Sequence, residues 1–235
     1  MRAPAFGLAP GWASGKRPYY EDALVTIYHA DCRQLVPLMA RFDLLLTDPP
    51  YGIGAGQMNF GKWRTSRMEK GNWDEATPPD WLLRMLLDAA DKHIIWGGNY
   101  YALPPSRQYL VWDKGAGFKG RDFAECEQAW CSMDGNAKVL TRDPLAAGDY
   151  RGKEHPTAKP LALMTWCLSL VPDAATVLDP FAGSGTTGRA CKDMGRRCVL
   201  IEREERYCET AARRMGQECL SFDPPNKADS TTCSK

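Results

Sequence analysis

The sequence predicts an α/β protein built on one mostly parallel sheet, and three observations predict it. Strand-like apolar runs alternate with helix-like segments along most of the 235 residues, as a parallel sheet with helical crossovers requires. A glycine-rich stretch, "LDPFAGSGTTG" (178–188), joins a strand to a helix in the manner of a ligand-binding turn. That stretch lies close to the end of the chain, so its sheet must draw neighbouring strands from the first half.

Seven strands are expected, at 24–29, 43–47, 93–97, 109–112, 127–132, 176–179 and 197–202, and helices at 32–40, 79–90, 160–170, 187–194 and 204–215. The run "DLLLT" (43–47) is short, apolar and flanked by turn residues, as a strand buried on both faces should be. In "EERYCETAARRM" (204–215), Tyr207, Ala211 and Met215 recur at helical spacing with charges opposite. One domain over 21–221 is expected, with 1–20 and the polar tail 222–235 poorly ordered.

Composition excludes several classes. The chain is 44% hydrophobic and 25% charged, with net charge +1, which is ordinary for a globular protein with a core. No run of about 18 apolar residues suggests a membrane span, and the N-terminus lacks the apolar region of a signal peptide. The nine cysteines form no C-x-x-C pair, and the three histidines stand isolated. Reduced thiols in a cytoplasmic protein without a metal site are the expectation.

The stretch "RFDLLLTDPPYGIG" (41–54) ends a buried strand in a carboxylate, two prolines and an aromatic ring. A tight turn with a self-bonding Asp is one explanation. The glycine loop offers a second oddity. Gly183, Gly185 and Gly188 satisfy G-x-G-x-x-G, and Glu202 lies 19 positions beyond Gly183. Taken alone this could be a dinucleotide site or a structural turn. Only 33 residues follow Glu202, too few for the six strands that such a fold builds onward from this loop. The strands at 24–29 and 43–47 must supply the missing neighbours, which makes the sheet sequence-permuted. The loops after 43–47 and 176–179 then flank one crevice at the carboxyl ends of adjacent strands.

In this order, "TDPPYG" (47–52), "HPTAKP" (155–160) and "LDPFAGSGTT" (178–187) resemble three signature motifs of S-adenosylmethionine-dependent DNA amino-methyltransferases of the permuted β class. "HADCRQL" (29–35) and "WGGNYY" (96–101) are supporting matches, and "VWDKG" and "AECEQAWCS" fit antiparallel strands that close the sheet in that family. The resemblance covers roughly residues 22–216. It implies a permuted Rossmann-like methyltransferase fold: a mostly parallel seven-stranded sheet, an antiparallel hairpin and a small target-recognition insertion. It also implies a cytoplasmic, prokaryotic or phage-encoded enzyme acting on double-stranded DNA. Many members of the family dimerise, which would add reading surface to so short a chain.

An exocyclic amine is a poor nucleophile because its lone pair is delocalised into the ring. Two acceptors aimed at its N–H bonds draw the nitrogen toward an attacking geometry. Asp48 and the Pro49 carbonyl would supply them, with Pro50 stiffening the turn and Tyr51 stacking on a base turned out of the duplex. The resemblance places S-adenosylmethionine against Asp31, Asp48, Lys159, Asp179, Phe181, Gly183, Gly185, Thr186 and Glu202. Asp179 would meet its methionine moiety, Glu202 its ribose hydroxyls and Lys159 its carboxylate, while Asp31 would approach the adenine. Ala158 stands where the family more often has Gln.

C5-cytosine methylation is discarded, because it needs a thiolate, usually in a Pro-Cys pair, and none of the 17 prolines precedes a cysteine. Asp48 leans toward adenine N6; cytosine N4 is the alternative, followed by an NAD-dependent oxidoreductase or an inert DNA-binding protein. For DNA contact the sequence offers Lys62, Arg64 and Arg67 between Gly56 and Trp73, where a solvated loop is the alternative. A recognition segment is expected over 133–154, which no sheet strand should need, with Asn136, Lys138, Arg142, Arg151 and Lys153 as candidates.

Overall fold

The computed structural model describes residues 17–54, 74–120, 124–149 and 158–217. Its nine strands form one sheet in the order β1-β2-β9-β8-β3-β4-β6-β5-β7. The central strands β2 (Val25–His29), β9 (Arg197–Glu202), β8 (Thr176–Asp179), β3 (Phe42–Thr47) and β4 (Ala90–Trp96) run parallel. As the motif order predicted, β8 from the late part of the chain inserts beside β3 from the early part, pairing Leu45 with Leu178. The hairpin of β5 (Tyr109–Asp113) and β6 (Cys126–Cys131) adds on through an antiparallel β4–β6 pairing.

Along β3 the side chains alternate between two cores. Leu44 and Leu46 point to one face, covered by α3 (Leu161–Ser169), α4 (Thr186–Asp193) and α5 (Glu205–Gly216). Leu45 points to the other, covered by α1 (Cys32–Leu35) and α2 (Asp80–Asp88). All three leucines are fully buried, so the apolar run reflects a strand sandwiched between helical layers. Tyr207, Ala211 and Met215 form the buried face of α5.

The structure departs from the sequence expectations in four places. The sheet has nine strands, not seven, because two edge strands were not expected. Tyr20–Glu21 forms β1, antiparallel to β2, so the sheet takes in a residue assigned to the loose N-terminus. Lys138–Thr141 forms β7, parallel to β5, inside the segment expected to be free of sheet strands. Its pattern is almost wholly exposed, and it lacks the buried run that marks the central strands. The helix expected at 32–40 breaks after Leu35 into a 3₁₀ turn over Val36–Leu38, where Pro37 has no N–H to continue an α-helical ladder. Finally, β4 begins at Ala90, three residues early, because Ala90 pairs with Phe42 as soon as α2 ends.

Candidate active site

The DPPY turn leaves the carboxyl end of β3 and is clamped from three sides. One Asp74 carboxylate oxygen accepts the Tyr51 and Gly52 amides at 2.6 and 2.9 Å, and Asp74 is itself buried. The Tyr101 hydroxyl donates to the Pro49 carbonyl at 2.8 Å. The Tyr51 ring lies stacked on Tyr100, with centroids 4.8 Å apart and planes 13° from parallel. Behind Tyr51 sits Gly97, with φ +73°, where an added Cβ would fall 2.2 Å from the ring. The glycine pair in "WGGNYY" is therefore a steric requirement: Gly97 makes room for Tyr51, and Gly98 for Trp130.

Around Asp48 the side chains form a buried chain of alternating charge. Asp48 Oδ1 accepts the Tyr51 hydroxyl at 2.6 Å, and Oδ2 accepts Lys159 Nζ at 2.6 Å. Lys159 also donates to the Tyr51 hydroxyl at 2.9 Å and to Glu127 Oε2 at 3.0 Å. On its far side, Glu127 Oε1 meets Lys114 Nζ at 2.7 Å. Burial, seconded by the Glu127 charge, pulls the Asp48 carboxyl above its ordinary range against the pull of Lys159. Burial would raise Glu127 too, but Lys159 and Lys114 outweigh it and hold that carboxyl down at about 2.

One β-strand away, β8 ends at Asp179, whose Oδ1 accepts the Thr47 hydroxyl at 2.8 Å and the Phe181 amide at 3.1 Å. Burial pushes its carboxyl up to about 6. The chain then turns through Gly183, whose amide donates to Glu202 Oε2 at 2.8 Å, while Glu202 Oε1 accepts the Glu204 amide at 2.8 Å. Ser184 is 3% exposed, and its hydroxyl has no hydrogen-bond partner among the described residues. Asp31 caps α1 and is held by the Arg33 guanidinium.

These groups surround one cavity of about 410 Å³, at the carboxyl ends of β3 and β8. Asp31, Asp48, Pro50, Lys159, Asp179, Phe181, Gly183, Thr186 and Glu202 all line it. Three expected residues, Pro49, Tyr51 and Gly185, are not among those lining it. Gly185 stands behind the loop, where a Cβ would meet that of Ala211 at 2.7 Å, so its role is to let α4 and α5 approach. Pro49 offers a carbonyl already engaged by Tyr101. Lys159 spends all three of its N–H donors on Asp48, Tyr51 and Glu127. That leaves no donor for the carboxylate expected to pair with it.

Among the DNA-contact candidates, Asn136 and Lys138 are exposed at the β7 edge. Arg142 is already engaged, with two 2.8 Å bonds to the Asp149 carboxylate. Lys62, Arg64, Arg67, Arg151 and Lys153 lie outside the described residues. Sequence reading missed Glu127, Lys114, Asp74, Tyr100 and Tyr101 as site residues. A signal existed for four of them, since they stand in the "AECEQAWCS", "VWDKG" and "WGGNYY" stretches, but not for Asp74.

Comparison with known proteins agrees with this architecture. The DNA methylase family of the N6/N4 type matches residues 102–213. The type II methyltransferase M2.LlaDCHI of Lactococcus lactis subsp. cremoris is 24% identical, over 86% of this chain and 93% of its own. M.ScaI of Streptomyces caespitosus is 26% identical, over 88% and 86% respectively. Among solved structures, the M1.HpyAVI–SAM complex shares the fold with a TM-score of 0.52 at 24% identity, covering 81% of this chain and all of that one. The PvuII cytosine-N4-specific DNA methyltransferase shares it at 0.57 and 18% identity, over 88% and 92%. Motif order, family match, relatives aligned along most of their length and a common fold converge: the chain resembles the S-adenosylmethionine-dependent DNA methyltransferases of the N6/N4 amino type.

Proposed function

We propose that this chain transfers the methyl group of S-adenosylmethionine to an exocyclic amine of a DNA base, adenine N6 in the first place, with the base turned out of the duplex. The observation that carries this reading is the shared cavity: the Asp48 acceptor and the Gly183 loop open onto the same space. A carboxylate has about four acceptor positions, and Asp48 has two engaged, so it retains capacity for an amine N–H. The Pro49 carbonyl keeps a second lone pair beside the Tyr101 hydroxyl. Together they can hold both amine protons, and the rigid turn fixes their aim before substrate arrives.

The cavity fits the cofactor. Its 410 Å³ lies within the usual range for small-molecule sites. Ser184 presents an unpartnered hydroxyl, Asp179 a buried carboxyl suited to a cation, and Glu202 acceptor capacity beyond its two amides. When bound, S-adenosylmethionine supplies an electrophilic methyl group on a sulfonium. Asp179, Phe181, Gly183, Ser184 and Glu202 would hold it, with Asp31 at the mouth. Because both faces of Tyr51 are not free while Tyr100 stacks on it, an incoming base takes the place of Tyr100 or packs outside it.

The test is transfer of a tritiated methyl group to mixed-sequence DNA, followed by identification of the modified nucleoside. N6-methyladenine is expected. N4-methylcytosine would transfer the assignment to the chemistry named for the PvuII neighbour, and absence of transfer would overturn it. DNA contact by Lys62, Arg64 and Arg67 is tested by neutralising them. Binding should weaken for all sequences alike, and the salt dependence should flatten by about 0.9 per lost phosphate contact.

A further inference from the structure

Lys159 has two carboxylate partners, one of which, Glu127, nothing local in the sequence marks as such. Its ammonium is divided between two carboxylates from strands that flank β4: Asp48 after β3, and Glu127 on β6. Glu127 is in turn divided between two ammoniums, Lys159 and Lys114. The Lys159 and Lys114 side chains are 4% and 8% exposed, so neither charge is left to solvent. Lys114 is further boxed by the Trp112 and Phe118 rings, 5.2 and 5.3 Å from its ammonium.

A buried chain of two acids and two bases costs a great deal of hydration, and hydrophobic residues of equal volume would serve stability as well or better. A role in aiming groups accounts for its presence. Asp48 can offer an amine a lone pair in a fixed direction only if its carboxylate plane is fixed. The two groups fixing it are Lys159 and the Tyr51 hydroxyl, and Lys159 also holds that hydroxyl. Without a second carboxylate on its other side, Lys159 would collapse onto Asp48 as a simple ion pair and compete for the lone pairs the amine needs.

We propose that Glu127 and Lys114, on the β5–β6 hairpin, are positioning residues that tension Lys159 and thereby aim the Asp48 carboxylate at the target amine. This rests on the reading of Asp48 as the amine acceptor. Neither residue lines the cavity, so both act through Lys159, Glu127 also through the Tyr51 hydroxyl 3.3 Å away, and not by touching cofactor or base.

The charged and titratable groups facing Asp48 are Lys159, Glu127, Tyr51, Tyr101 and Asp179. Removing the Glu127 charge takes a negative neighbour away from Asp48 and leaves Lys159 to it alone. Asp48 then ionises more readily. Removing Lys114 instead leaves the Glu127 charge uncompensated, so Asp48 ionises less readily.

The experiment measures single-turnover methyl transfer against pH for wild type, Glu127→Gln, Lys114→Met and the double variant, with S-adenosylmethionine affinity by calorimetry. Glu127→Gln should transfer roughly 100-fold more slowly, the scale of a small misplacement of a reacting group, with cofactor affinity little changed. The acid limb of its rate profile should move to lower pH. In Lys114→Met the limb should move to higher pH, and the double variant should return it toward wild type. A merely structural role would lower the amplitude and leave the limb in place. If Glu127→Gln fails to fold, Lys114→Met and the double variant carry the same comparison. Transfer by wild type, with rates and acid limbs unchanged in the variants, overturns the positioning role alone. A wild type that transfers no methyl group to DNA overturns the reading of Asp48 and this proposal with it.

Discussion

Asp179→Asn should make the protein more stable and worse at holding its cofactor. The carboxyl is 3% exposed, and burial raises it from the ordinary 3.8 to about 6. A folded-state value above the unfolded one means that the native protein binds the proton more tightly, so stability falls as pH rises between about 4 and 6 and levels off above. The full ionisation cost amounts to roughly 3 kcal/mol. Asparagine keeps the Oδ1 acceptor for the Thr47 hydroxyl and the Phe181 amide and can donate to the Thr187 hydroxyl. Cofactor-free Asp179→Asn should therefore gain about 1–3 kcal/mol at pH 8, a gain that shrinks toward zero as pH approaches 4. S-adenosylmethionine affinity should drop by about 1.5–3 kcal/mol, as for a lost charged hydrogen bond. Urea unfolding at pH 5, 6, 7 and 8, paired with calorimetric titration, checks both. A variant less stable at pH 8, or a gap independent of pH, refutes the reasoning.

Asp48→Ala should abolish methyl transfer while leaving cofactor affinity within a few fold, and near-normal turnover would remove the amine clamp. Tyr51→Phe should not be mild: the hydroxyl it removes bonds both Asp48 and Lys159. Turnover should fall by about tenfold to a hundredfold for a buried network left short of a partner; a rate equal to wild type would reduce Tyr51 to a ring. Gly97→Ala puts a methyl group 2.2 Å from that ring on a backbone with φ +73°. A loss of about 2–4 kcal/mol is expected from the strained backbone and overpacking, readable by denaturant unfolding and contradicted by wild-type stability. Arg142→Ala should disturb the loop closed by Asp149. A sequence preference relaxed at one base pair without loss of stability, mapped on a random DNA library, would instead restore the arginine to base reading.

What could be read from the chain was whatever its order and periodicity encode. The neighbourhood of β3 and β8 follows from a glycine loop too late to start a sheet, and their carboxyl-end motifs follow from the general siting of ligands in open sheets. The partners of Lys159 could not be read. A lysine in "HPTAKP" can turn to a ligand or to any acid within reach, and Glu127 comes within reach only because β6 runs back along β4 in a particular register. Asp74 was equally invisible. It lies 23 residues beyond Tyr51, and nothing local marks it as the acceptor for two amides of the DPPY turn. The edge strand β7 escaped because Lys138, Val139 and Thr141 face solvent, so no core imposes a pattern on them.

The bond between Thr47 and Asp179 joins residues 132 positions apart, and β3 waits for β8 before its second edge is paired. A chain emerging from the ribosome thus completes β3, which leads into the Asp48 turn, early and β8, which ends at Asp179, late. Until β8 arrives, one apolar edge of β3 lacks its native partner, a state open to wrong pairing. The closure entropy of so long a loop, which grows with the logarithm of its length, must be met before the β3–β8 contacts return any stability, and such non-local pairing slows folding. Permutation therefore sets a kinetic order: the half of the cavity around Asp48 is made first, and the cavity is complete only when β8 and β9 close beside it.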